Sequence, residues 1–147
     1  MPPLVRHLLA LVIGLMAGSA VNMSLILLGG QLIAPPPGTQ TQTMEGLAAA
    51  LPLFGPQHFV FPFLAHALGT LVGAAVAAAV AGWGGAAMKA WPAWAVGALF
   101  FSGGVANVWM LGGPLWFTVL DLGLAYLPMA WCGLRFATAL RAARQAG

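Results

Sequence analysis

The chain has 147 residues, of which 61% are hydrophobic and 5% charged. A water-soluble domain is about 45–50% apolar and about 25% charged, so that class is excluded. Five Lys and Arg against two acids leave a formal charge of +3, too slight an excess to suggest a nucleic-acid partner. The single cysteine excludes an internal disulfide, a CxxC redox site and any multi-cysteine metal site.

Four apolar runs, residues 4–33, 56–81, 90–111 and 114–137, each exceed the roughly 20 residues needed to span about 30 Å of hydrocarbon. They predict one membrane domain, residues 1–147, folded as an all-α four-helix bundle. The first run begins like a secretory signal, with Arg6 and then Gly18-Ser19-Ala20 as a cleavage-like site. Its apolar stretch continues through Leu28, longer than a signal core, and a retained first helix is expected.

The outer loop, residues 34–55, opens with a stiff Pro35-Pro36-Pro37 segment and continues through a polar stretch. Thr43 is placed to cap a short helix over 44–51, with Glu45 in its first turn near the positive dipole end. Leu47, Leu51, Leu53 and Phe54 suit a lid or interaction surface; a catalytic loop is not indicated, because no nucleophile–base pair is offered.

Helix two carries His58, His66 and Thr70, the last two sharing a face at a spacing of four. Gly69 and Gly73 form a small-residue notch on the same helix, as Gly14 and Gly18 do on helix one, where another helix can approach closely. Pro62 cannot donate to the carbonyl of His58, nor Pro128 to that of Leu124, so a kink is expected in helices two and four. If Pro62 instead opens helix two, residues 55–61 form an extended entry and His66 lies nearer the surface.

All five basic residues fall on one side. Arg6 precedes helix one, Lys89 lies between helices two and three, and Arg135, Arg141 and Arg144 end helix four. The positive-inside rule makes that side cytoplasmic, with both termini inside. Trp83, Trp91 and Trp94 bracket the inner connection and Trp109 and Trp116 flank the outer turn, as an interfacial belt should. The tail after Phe136 should extend helix four along the inner surface, where its arginines reach lipid phosphates. The halves also look faintly alike: Gly18 to Asn22 matches Gly103 to Asn107, and Gly55-Pro56 opens helix two as Gly113-Pro114 opens helix four. That pattern suggests two hairpins related by a pseudo-twofold along the membrane normal.

Asp121 is the only acid inside a long apolar run. A carboxylate near the middle of a membrane helix costs roughly 2.5–3.5 kcal/mol on insertion scales, so it should face protein and find a partner. At about 1.5 Å per residue it lies roughly 10 Å below the outer end of helix four, with His66 and Asn22 about 15 Å down and Asn107 one turn down. These polar groups gather in the outer half, and a shared cavity is the natural expectation. One reading makes them interhelical glue, each pair worth around 0.6 kcal/mol. The sharper reading makes Asp121 and His66 a proton-accepting or cation-binding pair, completed by Asn22, Asn107 and Tyr126. Paired haem ligands on facing helices are not offered by one chain, since His58 and His66 share helix two and His7 lies on the far side. No cofactor, metal or catalytic set is expected.

The run Asn22-Met23, His58 to Thr70, Asn107, Trp116-Phe117, Asp121 and Ala125 to Trp131 resembles a set of small bacterial inner-membrane proteins of uncharacterised function. The segment His58 to Thr70 is its most specific part. The resemblance implies a four-helix membrane protein and carries no activity to any residue. The chain is unlike small multidrug transporters, which carry a glutamate in the first helix, and lacks the cysteines of quinone-linked disulfide enzymes. Two functions follow as expectations. One is a non-catalytic structural or accessory subunit that assembles through its glycine faces into a homo-oligomer or larger membrane complex. The other is a proton-coupled or small-solute pathway through Asp121 and His66.

Overall fold

The computed structural model describes residues 1–85 and 89–147, and every regular element among them is helical. The helices are α1 (Pro3–Leu32), α2 (Met44–Ala50), α3 (Val60–Ala81), α4 (Trp91–Leu111), α5 (Leu115–Leu124) and α6 (Leu127–Ala146). Four segments, Pro3–Leu32, Pro56–Ala81, Trp91–Leu111 and Leu115–Ala146, are long and apolar enough to cross a membrane. Length and composition thus describe a multi-pass membrane protein. The first segment, at 30 residues, is about 45 Å long and exceeds the hydrocarbon thickness.

Two sequence expectations change in detail. The fourth crossing is not one helix over 114–137: it breaks at Ala125 and Tyr126, resumes at Leu127 and runs on to Ala146. The break falls where Pro128 leaves the Leu124 carbonyl without its helical donor. The second crossing enters through a 3-10 turn, Pro56–Phe59, rather than an extended segment, and its α-helix starts at Val60. Pro62 therefore sits in the first turn of α3, where a missing N–H matters least, and does not interrupt the helix. In the loop, Thr43 Oγ1 accepts the Gly46 N–H at 3.1 Å, and α2 ends at Ala50 before a short 3-10 turn, Leu51–Leu53. The turn from α4 to α5 depends on Gly112 and Gly113, whose φ values of 72° and 118° suit a residue without a Cβ.

His7 packs edge-on against Trp91, and Arg141 Nη1 donates to the Gly82 carbonyl at 3.2 Å. The start of α1, the α3–α4 connection and the tail of α6 therefore share one end of the bundle, called here the basic end. The 34–55 loop and the 112–114 turn occupy the opposite, loop end.

α3 is the central helix and contacts α1, α4, α5 and α6. Its sequence explains this position, because a row of glycines and alanines lets three backbones approach. A Cβ on Gly14 would stand 2.6 Å from the Gly73 carbonyl oxygen, and one on Gly18 would stand 2.6 Å from that of Gly69. On the other flank, a Cβ on Gly133 of α6 would fall on the Leu71 carbonyl oxygen. Gly14, Gly18, Gly69 and Gly73 thus face one another inside the chain and present no free face for another copy. Toward the basic end the core is Ala74, Ala78, Ala93, Ala130 and Ala137, a dry layer of small side chains. Toward the loop end it becomes aromatic, with Tyr126 among Phe63, Phe100 and Phe101. Large apolar side chains such as Met16, Leu27, Val119 and Leu124 point outward, as lipid-facing residues should.

Candidate functional site

Asp121, on the second turn of α5, is only 3% exposed. His66 reaches it from α3. The imidazole Nδ1 lies 2.9 Å from Oδ1 and 2.9 Å from Oδ2, so its N–H is shared between both carboxylate oxygens. Tyr126 donates its hydroxyl to Oδ2 at 3.1 Å and lays its ring along His66, with centroids 5.6 Å apart and planes 28° from parallel. The carboxylate, imidazole and phenol form one triad across α3 and the α5–α6 joint, with Asp121 and Tyr126 buried and His66 partly exposed.

The helix break assembles this triad. In a continuous α-helix residues five apart point about 140° away from each other, so Tyr126 could not return to Asp121. Tyr126 instead has φ −116° and ψ −82°, outside the helical region, and these angles turn its side chain back. Gly104 of α4 completes the arrangement: a Cβ there would meet the Tyr126 hydroxyl at 2.5 Å. Phe101 meets the phenol ring in a T-shaped contact at 6.0 Å.

The remaining polar residues divide into two groups. Asn22 and Asn107 hydrogen-bond to no member of the triad, yet both line a cavity of about 190 Å³ together with His66, Thr70 and Tyr126. Thr70 is fully buried and donates its hydroxyl to the His66 carbonyl at 2.7 Å, a bond within α3 that does not reach the carboxylate. His58 bonds to no member of the triad, although it lines the cavity that reaches His66 and Asp121. Its Nδ1 accepts the Gly55 N–H at 3.0 Å and its Nε2 lies 3.2 Å from the Ala34 carbonyl oxygen, so it ties the two ends of the loop together.

A second cavity, about 220 Å³, runs from Leu47, Leu51 and Phe54 of the loop past Asn107 and Thr118 to His66 and Asp121. His66, Gly104 and Asn107 line both spaces. With Nδ1 engaged, His66 Nε2 has no hydrogen-bond partner among the described residues. The pair therefore resembles an acid–base dyad: a carboxylate orients the imidazole and leaves one ring nitrogen for a proton or ligand. Beyond Thr70 the next layers are the small side chains of Ala74 and Ala78, so the polar region closes toward the basic end.

Sequence reasoning pairs His66 with Asp121 by depth but misses Gly104 and Phe101. The Gly103-Gly104 doublet is the available signal, and it is Gly104, not the repeat-matching Gly103, that is buried. Comparison of the chain with models of protein families, with curated proteins and with solved structures finds no match. What the site does must be read from its own geometry.

Proposed function

We propose that the protein is a small inner-membrane pathway for protons, or for a small solute coupled to them, with the His66–Asp121 dyad as its binding station. The observation that carries this reading is the imidazole bound through Nδ1 to a buried carboxylate while it lines a cavity that extends to the loop end. A proton entering past the loop would be taken by Nε2, with Asp121 balancing the charge and Tyr126 holding the carboxylate in place. Asn22 and Asn107 supply polar lining where a water or solute must shed its hydration.

The positive-inside rule places the basic end in the cytoplasm and the loop in the periplasm of a bacterial cell. Asn22 and Asn107, equivalent in the suggested repeat, line one cavity from opposite helices, which accords with two related hairpins. The accessory-subunit reading needs a contact surface other than the four glycines, since these are engaged between α1 and α3.

Proteoliposomes loaded with a pH-sensitive dye and given a potassium diffusion potential test the reading. The wild-type chain is expected to acidify or alkalinise the lumen with the imposed potential. Asp121→Asn and His66→Gln should abolish the response, and Tyr126→Phe should slow it several-fold. A wild-type signal no greater than that of empty vesicles, or one that survives Asp121→Asn, would overturn the proposal.

A further inference from the structure

A groove of about 510 Å³ lies between α3 and α6 at the basic end, apart from the His66 cavities. The two helices touch closely at Gly133, against Leu71 and Ala75, and the groove lies beyond that contact. Ala75, Val76 and Ala79 form one wall, and Phe136 and Leu140 form the other. Phe136 and Leu140 are 56% and 45% exposed, so the apolar part is open to whatever surrounds the helices. The mouth has the opposite character. Arg141 and Arg144, three apart on one helix face, stand there with Gln145 and Trp83. Arg141 is fixed in place by its bond to the Gly82 carbonyl, which also ties α6 to the end of α3.

An occupant must therefore present hydrocarbon at membrane depth and negative charge at the membrane surface. We infer that this groove is a binding site for an anionic glycerophospholipid: an acyl chain lies along Ala75, Ala79, Phe136 and Leu140, and the phosphate meets Arg141 and Arg144. Two guanidiniums at one mouth select against a zwitterionic headgroup, whose own cation they would repel. Trp83, 75% exposed, sits where an indole belongs, at the boundary between the chains and the headgroups. A helix from another protein would fill the apolar walls without bringing a phosphate to the guanidiniums at the mouth. No residue of this groove belongs to the His66–Asp121 site, and the inference stands whether or not that site conducts.

The test is native mass spectrometry of the delipidated full chain in detergent, titrated with phosphatidylglycerol or phosphatidylcholine of the same acyl chains. Phosphatidylglycerol should be retained as a discrete one-lipid adduct at concentrations at least tenfold below those needed for phosphatidylcholine. Inorganic phosphate at millimolar concentration should not displace it, because the acyl chain contributes to binding. Arg144→Gln should weaken retention, and Arg141→Gln with Arg144→Gln should remove the preference between the two lipids. Ala79→Phe, which fills the apolar wall without touching charge, should reduce retention of both lipids, with thermal melting confirming that the variant is folded. Equal retention of the two lipids by the wild-type chain would overturn the assignment. So would a preference that survives the double arginine variant, or displacement by free phosphate.

Discussion

Replacing Asp121 and His66 by alanine, singly and together, isolates the energy of their contact. Asp121→Ala also releases the Tyr126 hydroxyl, but that loss occurs in both arms of the cycle and cancels. The imidazole N–H lies 2.9 Å from each carboxylate oxygen, and the acid is almost fully buried. Hydrogen bonds to charged groups contribute ~1.5–3 kcal/mol. Polar pairs between membrane helices average ~0.6 kcal/mol and reach ~1.7, because an unfolded chain in the bilayer also finds partners. The overlap of these ranges predicts a coupling of about 1.5 kcal/mol, roughly a tenfold change in the folding equilibrium. Reversible unfolding by SDS in mixed micelles, followed by tryptophan fluorescence, measures it. A coupling that does not exceed the ~0.3–0.5 kcal/mol scatter of independent sites would refute the reading of this pair as a shielded hydrogen bond.

Gly73→Ala should destabilise the monomer by ~1–3 kcal/mol through overpacking, since its Cβ would stand 2.8 Å from the Gly14 carbonyl oxygen; Gly103→Ala, with open space around it, should be neutral or slightly stabilising in the same SDS titration. Neither substitution should alter oligomeric state in analytical ultracentrifugation, because the glycine contacts lie within one chain. His58→Ala should speed amide exchange across residues 34–55 by severing the loop tie at Ala34 and Gly55, while leaving the His66–Asp121 coupling unchanged. Pro128→Ala restores a donor for the Leu124 carbonyl and should let α5 and α6 fuse; helicity by circular dichroism should rise slightly while dye-reported flux falls with that of Tyr126→Phe.

The apolar runs announce the four crossings because lipid demands length and hydrophobicity whatever the helices do next. The pairing of Asp121 with His66 was also legible. Both residues are costly in hydrocarbon, and counting from Pro114 and Pro56 puts them at similar depth in the same half of the bundle. Azimuth was not legible. Asn22 and Asn107 lie at suitable depths but line a cavity without reaching the triad, and Thr70 bonds along its own helix. His58 shares a helix with His66 in the hydropathy pattern, yet the 3-10 entry makes it a loop tie. The glycine notches were recognisable as contact faces, but spacing alone does not say whether the opposing helix belongs to the same chain. That depends on which pairs of faces fit, a property of the folded bundle.

Pro128 was legible as a missing hydrogen bond, whereas the use made of it was not. An unbroken fourth helix would present Asp121 to α3 with His66 as its one partner and would send Tyr126 toward another face. A membrane carboxylate with a single donor has lone pairs left unsatisfied in a medium without water. The break gives up helical geometry at Tyr126 and supplies a second donor to Oδ2. It also stacks the phenol ring on the imidazole and brings it into T-shaped contact with Phe101. Gly104 permits this only because it has no side chain to collide with the hydroxyl. A proline, a glycine and a tyrosine on two crossings thus act together to make one acid tolerable in the bilayer. Remove any of the three, and Asp121 loses the second donor that steadies its carboxylate.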